Sequence, residues 1–132
     1  MKPSVDDIFK LNSSSQFEAL GLSVFRYQSK ECEVYAKFLA GLSILPETIQ
    51  KIEEIPFLPI EFFKNQEIKS SEPDKKSIVF TSSGTTGMVQ SKHFVSDVSV
   101  YEKSYLKGFE LAYGNIQDYC VLALLPSYLE RD

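Results

Sequence analysis

Seven consecutive residues of this chain carry either a hydroxyl group or no side chain, in the order Thr81-Ser82-Ser83-Gly84-Thr85-Thr86-Gly87. Hydroxyl groups rotate to donate to an oxygen ligand, and glycines let backbone N–H groups converge on an anion. The β-branched run Ser77–Thr81 predicts a short strand, so this stretch, the hydroxyl loop (residues 81–87), leaves the end of a strand. A loop of this kind is able to wrap a polyphosphate, although an ordinary surface loop has the same composition.

Better-defined nucleotide and catalytic motifs are absent from the sequence. A Walker A loop ends in Gly-Lys followed by Ser or Thr, and the chain contains no Gly-Lys pair. The dinucleotide fingerprint Gly-x-Gly-x-x-Gly and the Gly-x-Ser-x-Gly elbow of serine hydrolases are also missing. Cys32 and Cys120 lie far apart, so they indicate neither a redox pair nor a zinc site, and both are predicted to be buried thiols.

Composition limits the classes of protein to which the chain can belong. Its 132 residues are 43% hydrophobic and 24% charged, with a formal net charge of −4, which is typical of one globular domain or part of one. Acidic and basic residues are interspersed without a basic face, so nucleic acid is not expected as a partner. No apolar run has the length of a membrane span, and the N terminus lacks the apolar core of a signal peptide. Cytoplasm is the expected location.

The first part of the chain, residues 1–68, is predicted to be mainly helical. One helix follows the start signal Ser13-Ser14-Ser15, and its apolar stripe comprises Phe17, Leu20, Val24 and Tyr27. A second helix spans Glu31–Leu39, and Gly41 is expected as its C-cap. Two prolines exclude a long regular element from Ile55–Lys64, which is predicted to be extended and packed on the core, with an apolar binding groove as the less favoured alternative. A polar loop is predicted at Lys69–Lys76.

The second part, residues 77–132, is predicted to be an α/β unit of the form β-loop-β-α-β. Its elements are the strands Ser77–Thr81 and Lys92–Val95, a helix capped by Asp97 or Ser99 that ends at Gly114, and the strand Tyr119–Leu125. The last strand is apolar throughout, as in a parallel sheet that is buried on both faces. So few strands predict that residues 1–132 form a single, partial domain of a larger protein. A complete chain of this kind would cover its sheet edges by self-association or with its own helices.

The sequence of the hydroxyl loop resembles the phosphate loop of the adenylate-forming superfamily, which includes the acyl-CoA synthetases. It is more similar still to the acyl-protein synthetases of the bacterial luminescence type, the LuxE-like family. Three further segments resemble that family, namely Ile55–Lys64, Ser91–Val95 with Asp97 and Tyr101, and Leu122–Arg131. The resemblance covers roughly the last two-thirds of the chain, by motif and context. It implies that the α/β part is a portion of the N-terminal domain of an adenylate-forming enzyme.

The resemblance also implies a function, which is ATP-dependent activation of a carboxylic acid, for this family a fatty acid, to an acyl-adenylate. The acyl group then passes to a thiol, either coenzyme A or a protein cysteine. ATP and Mg²⁺ are the implied cofactors, since phosphoryl transfer needs donors and a cation to stabilise charge. The implied phosphate-binding residues are Thr81, Ser82, Ser83, Gly84, Thr85, Thr86 and Gly87, together with Lys92. The family's later motifs do not follow Pro126, so this chain is expected to be an N-terminal portion that is inactive alone.

One departure from the superfamily leaves the roles of individual residues open. Many members have a lysine three residues beyond the last loop glycine, where this chain has Gln90. The long stem of Lys92 is able to reach a phosphate, or the side chain is simply solvated. His93 is expected to be structural rather than a phosphate ligand, and Tyr128 either lines an acyl pocket or forms a turn. Two other functions stay open: a non-catalytic phosphate-binding, nucleotide-binding or protein-interaction module, and a purely structural helical domain.

Overall fold

The computed structural model describes residues 3–70, 77–82 and 89–123. The chain forms two compact units, Met1–Val100 and Tyr101–Asp132. Of the polar loop predicted at Lys69–Lys76, residues 71–76 lie outside the described ranges. Within those ranges, no helix combines the length and the apolar character that crossing a membrane requires.

The elements combine several helices with a small sheet, so the α/β class predicted from the sequence is confirmed at this level. In chain order the described elements are α1 (Val5–Ile8), α2 (Ser14–Glu31), α3 (Glu33–Gly41), short 3-10 helices at Pro46–Thr48 and Ile52–Glu54, α4 (Phe62–Asn65), β1 (Ile78–Thr81), β2 (Lys92–Val95), α5 (Val98–Tyr113) and a 3-10 helix at Ile116–Asp118. The helices predicted from apolar periodicity therefore correspond to α2, α3 and α5.

Helix α2 begins and ends where local chemistry requires. The Gln16 N–H donates to Ser13 Oγ at 3.3 Å, so Ser13 satisfies one of the amides that have no partner within the helix. At the other end, the Cys32 N–H donates to the Gln28 carbonyl at 2.9 Å, and Cys32 itself has an extended backbone. The Ala36 N–H then donates to the Cys32 carbonyl, so this one residue ends α2 and starts α3.

The end of α3 differs from the prediction at Gly41. Gly41 is the last helical residue, and the left-handed conformation falls on Ser43, at φ 57°. The Ser43 N–H donates to the Ala40 carbonyl and the Ile44 N–H donates to the Leu39 carbonyl, both at 3.0 Å. These two bonds form a Schellman motif, in which the residue after the C-cap is left-handed and is usually glycine. The helix therefore includes Gly41, and the carbonyl groups of its last turn are satisfied by the amides of Ser43 and Ile44.

The core of the first unit lies between α2, α3 and the chain that follows them. Its buried residues are Leu22, Phe25, Cys32, Tyr35, Leu39 and Ile49. Tyr35 connects these elements, because its ring meets Phe25 edge-on at 6.1 Å between centroids and stacks with Phe38 at 6.3 Å. Ile55 and Leu58 pack against this core, as predicted, whereas Phe57 between them is 80% exposed. The predicted extended conformation is wrong for residues 62–64, which belong to α4.

Strands β1 and β2 form an antiparallel hairpin. Ile78 is paired with Val95, and Thr81 is paired with Lys92. Both strands had been predicted within one residue of these limits, because each is a short β-branched or aromatic run next to polar residues. Among the described residues, these two strands make up the whole sheet.

Helix α5 also has the predicted ends. The Ser99 N–H donates to Asp97 Oδ1 at 3.0 Å, so Asp97 caps the helix. At the other end, Gly114 has φ +90° and its N–H donates to the Glu110 carbonyl at 2.9 Å. The left-handed conformation explains why glycine occupies this position.

The prediction of a buried strand at Tyr119–Leu125 is wrong for residues 119–123, and residues 124 and 125 lie outside the described ranges. Residues 119–123 form no regular element, and Leu122 is 90% exposed. Cys120 is exposed as well, so only Cys32 is the buried thiol that was predicted. An apolar run becomes a strand only when neighbouring strands satisfy its backbone groups, and the described sheet offers this segment no pairing.

Candidate functional site

The hydroxyl loop joins the two strands of the hairpin. Of the residues predicted to bind phosphate, Thr81 ends β1, Ser82 follows it, and Lys92 begins β2. The predicted site residues outside the described ranges are Ser83, Gly84, Thr85, Thr86 and Gly87. The described part of the site is therefore the base of the loop, namely Thr81 and Ser82 with the facing residues Ser91 and Lys92.

Ser82 and Ser91 close this base with a pair of hydrogen bonds. The Ser82 N–H donates to the Ser91 carbonyl at 3.1 Å, and the Ser91 N–H donates to Ser82 Oγ at 3.1 Å. Because Ser82 Oγ is the acceptor in the second bond, its own proton is still able to donate to a ligand. The Ser82 side chain therefore has a structural role that is compatible with anion binding.

Thr81 and Lys92 lie on the same face of the hairpin, because they are direct cross-strand partners. Both residues are exposed. One supplies a hydroxyl donor and the other an ammonium group, and both are next to the hydroxyl loop. Such a pair is suited to bind an oxyanion, either a dissolved ion or an anionic group of a ligand.

His93 lies on the opposite face and has structural contacts. Its Nε2 atom is 3.3 Å from Ser91 Oγ, and its ring stacks on Phe63 with 4.9 Å between centroids and 23° between planes. These contacts fit the structural role that was expected for His93. They also attach the hairpin to the apolar segment of the chain at residues 55–63.

A cavity of about 570 Å³ is the second prominent feature of the first unit. Phe17, Leu20 and Val24 of α2 form one wall, and the other walls come from α1, the 3-10 helix Ile52–Glu54 and residues 55–63. The apolar stripe predicted on α2 is thus largely the wall of this cavity. Of the buried apolar residues of α2, Leu22 packs in the core away from the cavity, and Phe25 belongs to both the core and the cavity lining. The binding-groove interpretation of residues 55–64, disfavoured on sequence, agrees with this geometry.

Two tyrosine hydroxyl groups near the floor of the cavity are already bonded. The Tyr35 hydroxyl donates to the Pro56 carbonyl at 2.8 Å, and burial raises the pKa of Tyr35, so this hydroxyl stays protonated. The Tyr27 hydroxyl donates to the Ser70 carbonyl at 3.3 Å. Cys32 also lines the floor and is 3% exposed. The cavity therefore offers mainly hydrocarbon surface to an occupant.

The acidic side chains with shifted pKa values lie outside both features. The Lys37 ammonium bonds to Glu33 and lowers the pKa of that carboxyl. Glu54 accepts backbone N–H bonds from Gln50 at 2.9 Å and from Lys51 at 3.2 Å, which lower its pKa. In the part of the chain that the structure describes, no group of three or more His, Cys, Asp or Glu side chains could hold a metal ion.

Sequence reasoning missed two parts of this arrangement. Ser91 was predicted only to belong to a segment that resembles the family, yet its amide and carbonyl bond to Ser82 at the base of the hydroxyl loop. Phe63 was given no role, although this ring lines the cavity and stacks on His93. A serine directly before the second predicted strand was the one available signal for Ser91, and contacts as distant along the chain as Phe63–His93 leave no local signal.

Comparison with known proteins gives two matches and one negative result. The sequence model of the family described as "Acyl-protein synthetase, LuxE" matches residues 8–111. A 69-residue segment is 32% identical to the "Long-chain-fatty-acid--luciferin-component ligase" of Photorhabdus luminescens, covering 52% of this chain and 59% of that relative. No solved structure matches the chain. The family match includes the helical part and ends before Leu122–Arg131, so it differs in extent from the resemblance seen in the sequence.

Proposed function

The chain belongs to the LuxE acyl-protein synthetase family, and from that premise we propose that this protein activates a fatty acid with ATP and passes the acyl group to a thiol. The proposal includes an acyl-adenylate as the activated form and a protein cysteine or coenzyme A as the acceptor. It also includes membership of the adenylate-forming superfamily, with the chain contributing an N-terminal portion of the enzyme. The matched segment spans 59% of the Photorhabdus relative, whose printed name specifies a long-chain fatty acid and a ligase.

The observation that carries the proposal is the donor arrangement at the base of the hydroxyl loop. Thr81 and Lys92 share one face, and Ser82 keeps a proton that it can donate. These groups fit the ATP phosphates, because a transferring phosphoryl group needs converging donors and a positive charge. In this proposal Ser83, Gly84, Thr85, Thr86 and Gly87 complete the phosphate site.

Mg²⁺ belongs to the proposal as a partner of the nucleotide. Mg²⁺ keeps several waters and is commonly bound by substrate phosphates together with one or two carboxylates. The ion would therefore arrive with ATP at the face that carries Thr81 and Lys92, where it would neutralise phosphate charge. The cytoplasmic location expected from the sequence stays a prediction.

The test of this function is ATP–pyrophosphate exchange by the protein as its gene encodes it, with saturated carboxylic acids of increasing length. We expect exchange that depends on the acid and on Mg²⁺, and that is strongest with long chains. Failure to exchange with any acid would contradict the proposal. If labelled ATP bound to the protein but formed no covalent product, the alternative of a nucleotide-binding module would be favoured.

A second measurement applies to the 132-residue chain alone. Amide resonances of Gly84 and Gly87 are expected to shift on addition of ATP with Mg²⁺, because their N–H groups would face the phosphates. The amide of Gly108 in α5 serves as the internal control. Equal shifts at all three glycines would mean that the nucleotide does not bind at the hydroxyl loop.

A further inference from the structure

The cavity of the first unit has the size of a ligand site, and its lining changes from buried residues at the floor to exposed residues at the rim. Its volume of about 570 Å³ falls in the usual range for pockets that bind small molecules. The floor consists of buried residues such as Phe25 and Cys32, whereas Phe17 and Phe57 at the rim are 58% and 80% exposed. Exposed aromatic side chains at the rim of an apolar cavity indicate a surface that is completed by an occupant.

The lining favours an occupant with few polar groups along its length, because the polar residues of the described lining are confined to Gln28, Ser70, Tyr35 and Cys32. Among the described lining residues, none is Asp, Glu, Lys, Arg or His. The hydroxyl of Tyr35 is already bonded to the Pro56 carbonyl. A peptide segment would bring one N–H and one C=O per residue into this space, and each would need a partner. A hydrocarbon chain brings none, so it loses no hydrogen bonds with water on entering.

The cavity is also contiguous with the hairpin of the hydroxyl loop. Phe63 lines the cavity and stacks on His93 of β2, which lies on the face of the hairpin opposite to Thr81 and Lys92. An acid whose tail filled the cavity could therefore leave its carboxyl group on the side of the hairpin. The absence of a cation from the described lining fits this orientation, because nothing there would stabilise a buried carboxylate.

From this combination we propose that the cavity between α2 and residues 52–63 binds the hydrocarbon chain of a long-chain carboxylic acid. This inference rests on the proposed function for the identity of the acid, and it adds the location of the chain and the residues that limit its length. The carboxyl group lies outside the cavity, toward β2. The tail lies against Phe17, Leu20 and Val24.

Gly21 is the residue that keeps space open at one wall. It lines the cavity within α2, and a Cβ atom placed there would be 3.4 Å from Ile52 Cδ1. A methyl group is therefore accommodated, whereas a larger side chain would occupy the space between α2 and Ile52. Glycine is unfavourable inside a helix, so its presence at this position agrees with a need for space.

The first test measures the binding of saturated fatty acids of increasing length to the unmodified full chain, by displacement of a fluorescent fatty acid below the micellar concentration. Each additional methylene is expected to tighten binding about fourfold until the cavity is full, after which affinity levels off. Affinity that is independent of chain length would overturn the proposal. This measurement needs no ATP and no variant.

The second test compares Gly21→Leu with Gly108→Leu. Both glycines lie inside helices, but Gly108 does not line the cavity and has nothing within 4 Å of an added Cβ. Gly21→Leu is expected to weaken the binding of the longest acids at least tenfold and to shorten the length at which affinity levels off. Equal affinities in the two variants would refute the assignment. The same holds if Gly21→Leu abolished only the formation of a dimer, because the occupant would then be a second copy.

The third test locates the ligand through the two cysteines. A saturating long-chain acid is expected to slow the alkylation of Cys32, which lines the cavity, and to leave the alkylation of exposed Cys120 unchanged. Mass spectrometry of the two peptides measures both rates in one sample. Equal protection of both, or of neither, would count against the cavity.

These results separate this inference from the proposed function. A length-dependent affinity and protection of Cys32, without ATP–pyrophosphate exchange, would support the cavity and refute the enzyme. Exchange without either of them would support the enzyme and refute the cavity as the acyl site.

Discussion

The Ser82 hydroxyl oxygen accepts the Ser91 N–H at 3.1 Å, so the side chain of one residue extends the pairing of the hairpin by one step beyond Thr81 and Lys92. Ser91 is buried, so its amide has little access to water as an alternative partner. A two-stranded hairpin is only marginally stable by itself. This contact therefore fixes how the hydroxyl loop leaves the sheet.

Ser82→Ala is expected to lower the free energy of unfolding by about 1–3 kcal/mol, which is the usual cost of a buried group left without a partner. Urea denaturation followed by circular dichroism measures this. Ser82→Thr keeps the hydroxyl oxygen and should retain most of the stability. Ser104→Ala, at an exposed position of α5, should change it by less than about 0.5 kcal/mol. An equal loss in both alanine variants would contradict the role of this bond.

Lys92→Gln tests the proposed phosphate site without disturbing the fold, since Lys92 is exposed. Removing a charge-assisted contact of about 1.5–3 kcal/mol should weaken the binding of ATP with Mg²⁺ by roughly tenfold or more. The remaining affinity should also depend less on salt. Isothermal titration calorimetry gives both quantities, and Lys30→Gln at the end of α2 is the charge-matched control. The same affinity in both variants would exclude Lys92 from the site.

Ser43→Gly should stabilise the protein by about 0.5–1 kcal/mol, because Ser43 has φ 57° and glycine adopts this conformation without a steric cost. Ser43→Ala keeps a Cβ atom in the same conformation and should bring no gain. Thermal unfolding of the two variants under identical conditions decides between them. If alanine stabilised as much as glycine, the cause would not be the left-handed backbone.

Tyr35→Phe should cost about 1–2 kcal/mol, since the Pro56 carbonyl would lose its donor at 2.8 Å in a buried setting. Burial raises the pKa of Tyr35 above its ordinary value of 10.0, so ionisation is harder in the folded protein than in the unfolded chain. The difference between wild type and variant should therefore be constant below pH 10 and should shrink as the pH rises through the folded value. Tyr105→Phe, on exposed α5, is the control.

Glu54→Gln should destabilise the protein near neutral pH, because the Glu54 carboxylate accepts the N–H groups of Gln50 and Lys51. These bonds lower the pKa of Glu54 from its ordinary value of 4.5. The stabilisation is complete above that value and is lost as the pH falls through the lower folded pKa. The unfolding curves of the wild type and of Glu54→Gln should therefore differ at pH 7 and converge at pH 3. Glu53→Gln removes the same charge in the same turn and controls for net charge.

Local signals in the sequence predicted most of the helices and both strands. Ser13, Asp97 and Gly114 mark helix ends by hydrogen bonds or backbone conformation that involve only their neighbours. Such signals depend on side-chain chemistry within a few positions, so they are visible without a fold. The helix-ending residue of α3 was predicted at Gly41, whereas the left-handed residue is Ser43. Glycine favours the Schellman motif at the end of a helix, but it does not determine where that motif forms.

The apolar residues were harder to interpret than the helix ends. Spacing identified Phe17, Leu20 and Val24 as one face of a helix, and this is correct. It could not indicate that this face borders a cavity while Leu22 packs in the core, because that depends on chain segments far away in the sequence. The prediction of a strand at residues 119–123 failed for the same reason, since apolar composition alone supplies no strand partner.

The stack of Phe63 on His93 makes one aromatic ring common to two regions that are proposed to bind different ligands. If an occupied cavity favours one position of this ring, it also favours one arrangement of the strand that carries Lys92. Thermodynamic reciprocity then requires that nucleotide and fatty acid change each other's affinity by the same factor. In such a protein, occupancy of one proposed site would change the affinity of the other before any reaction begins.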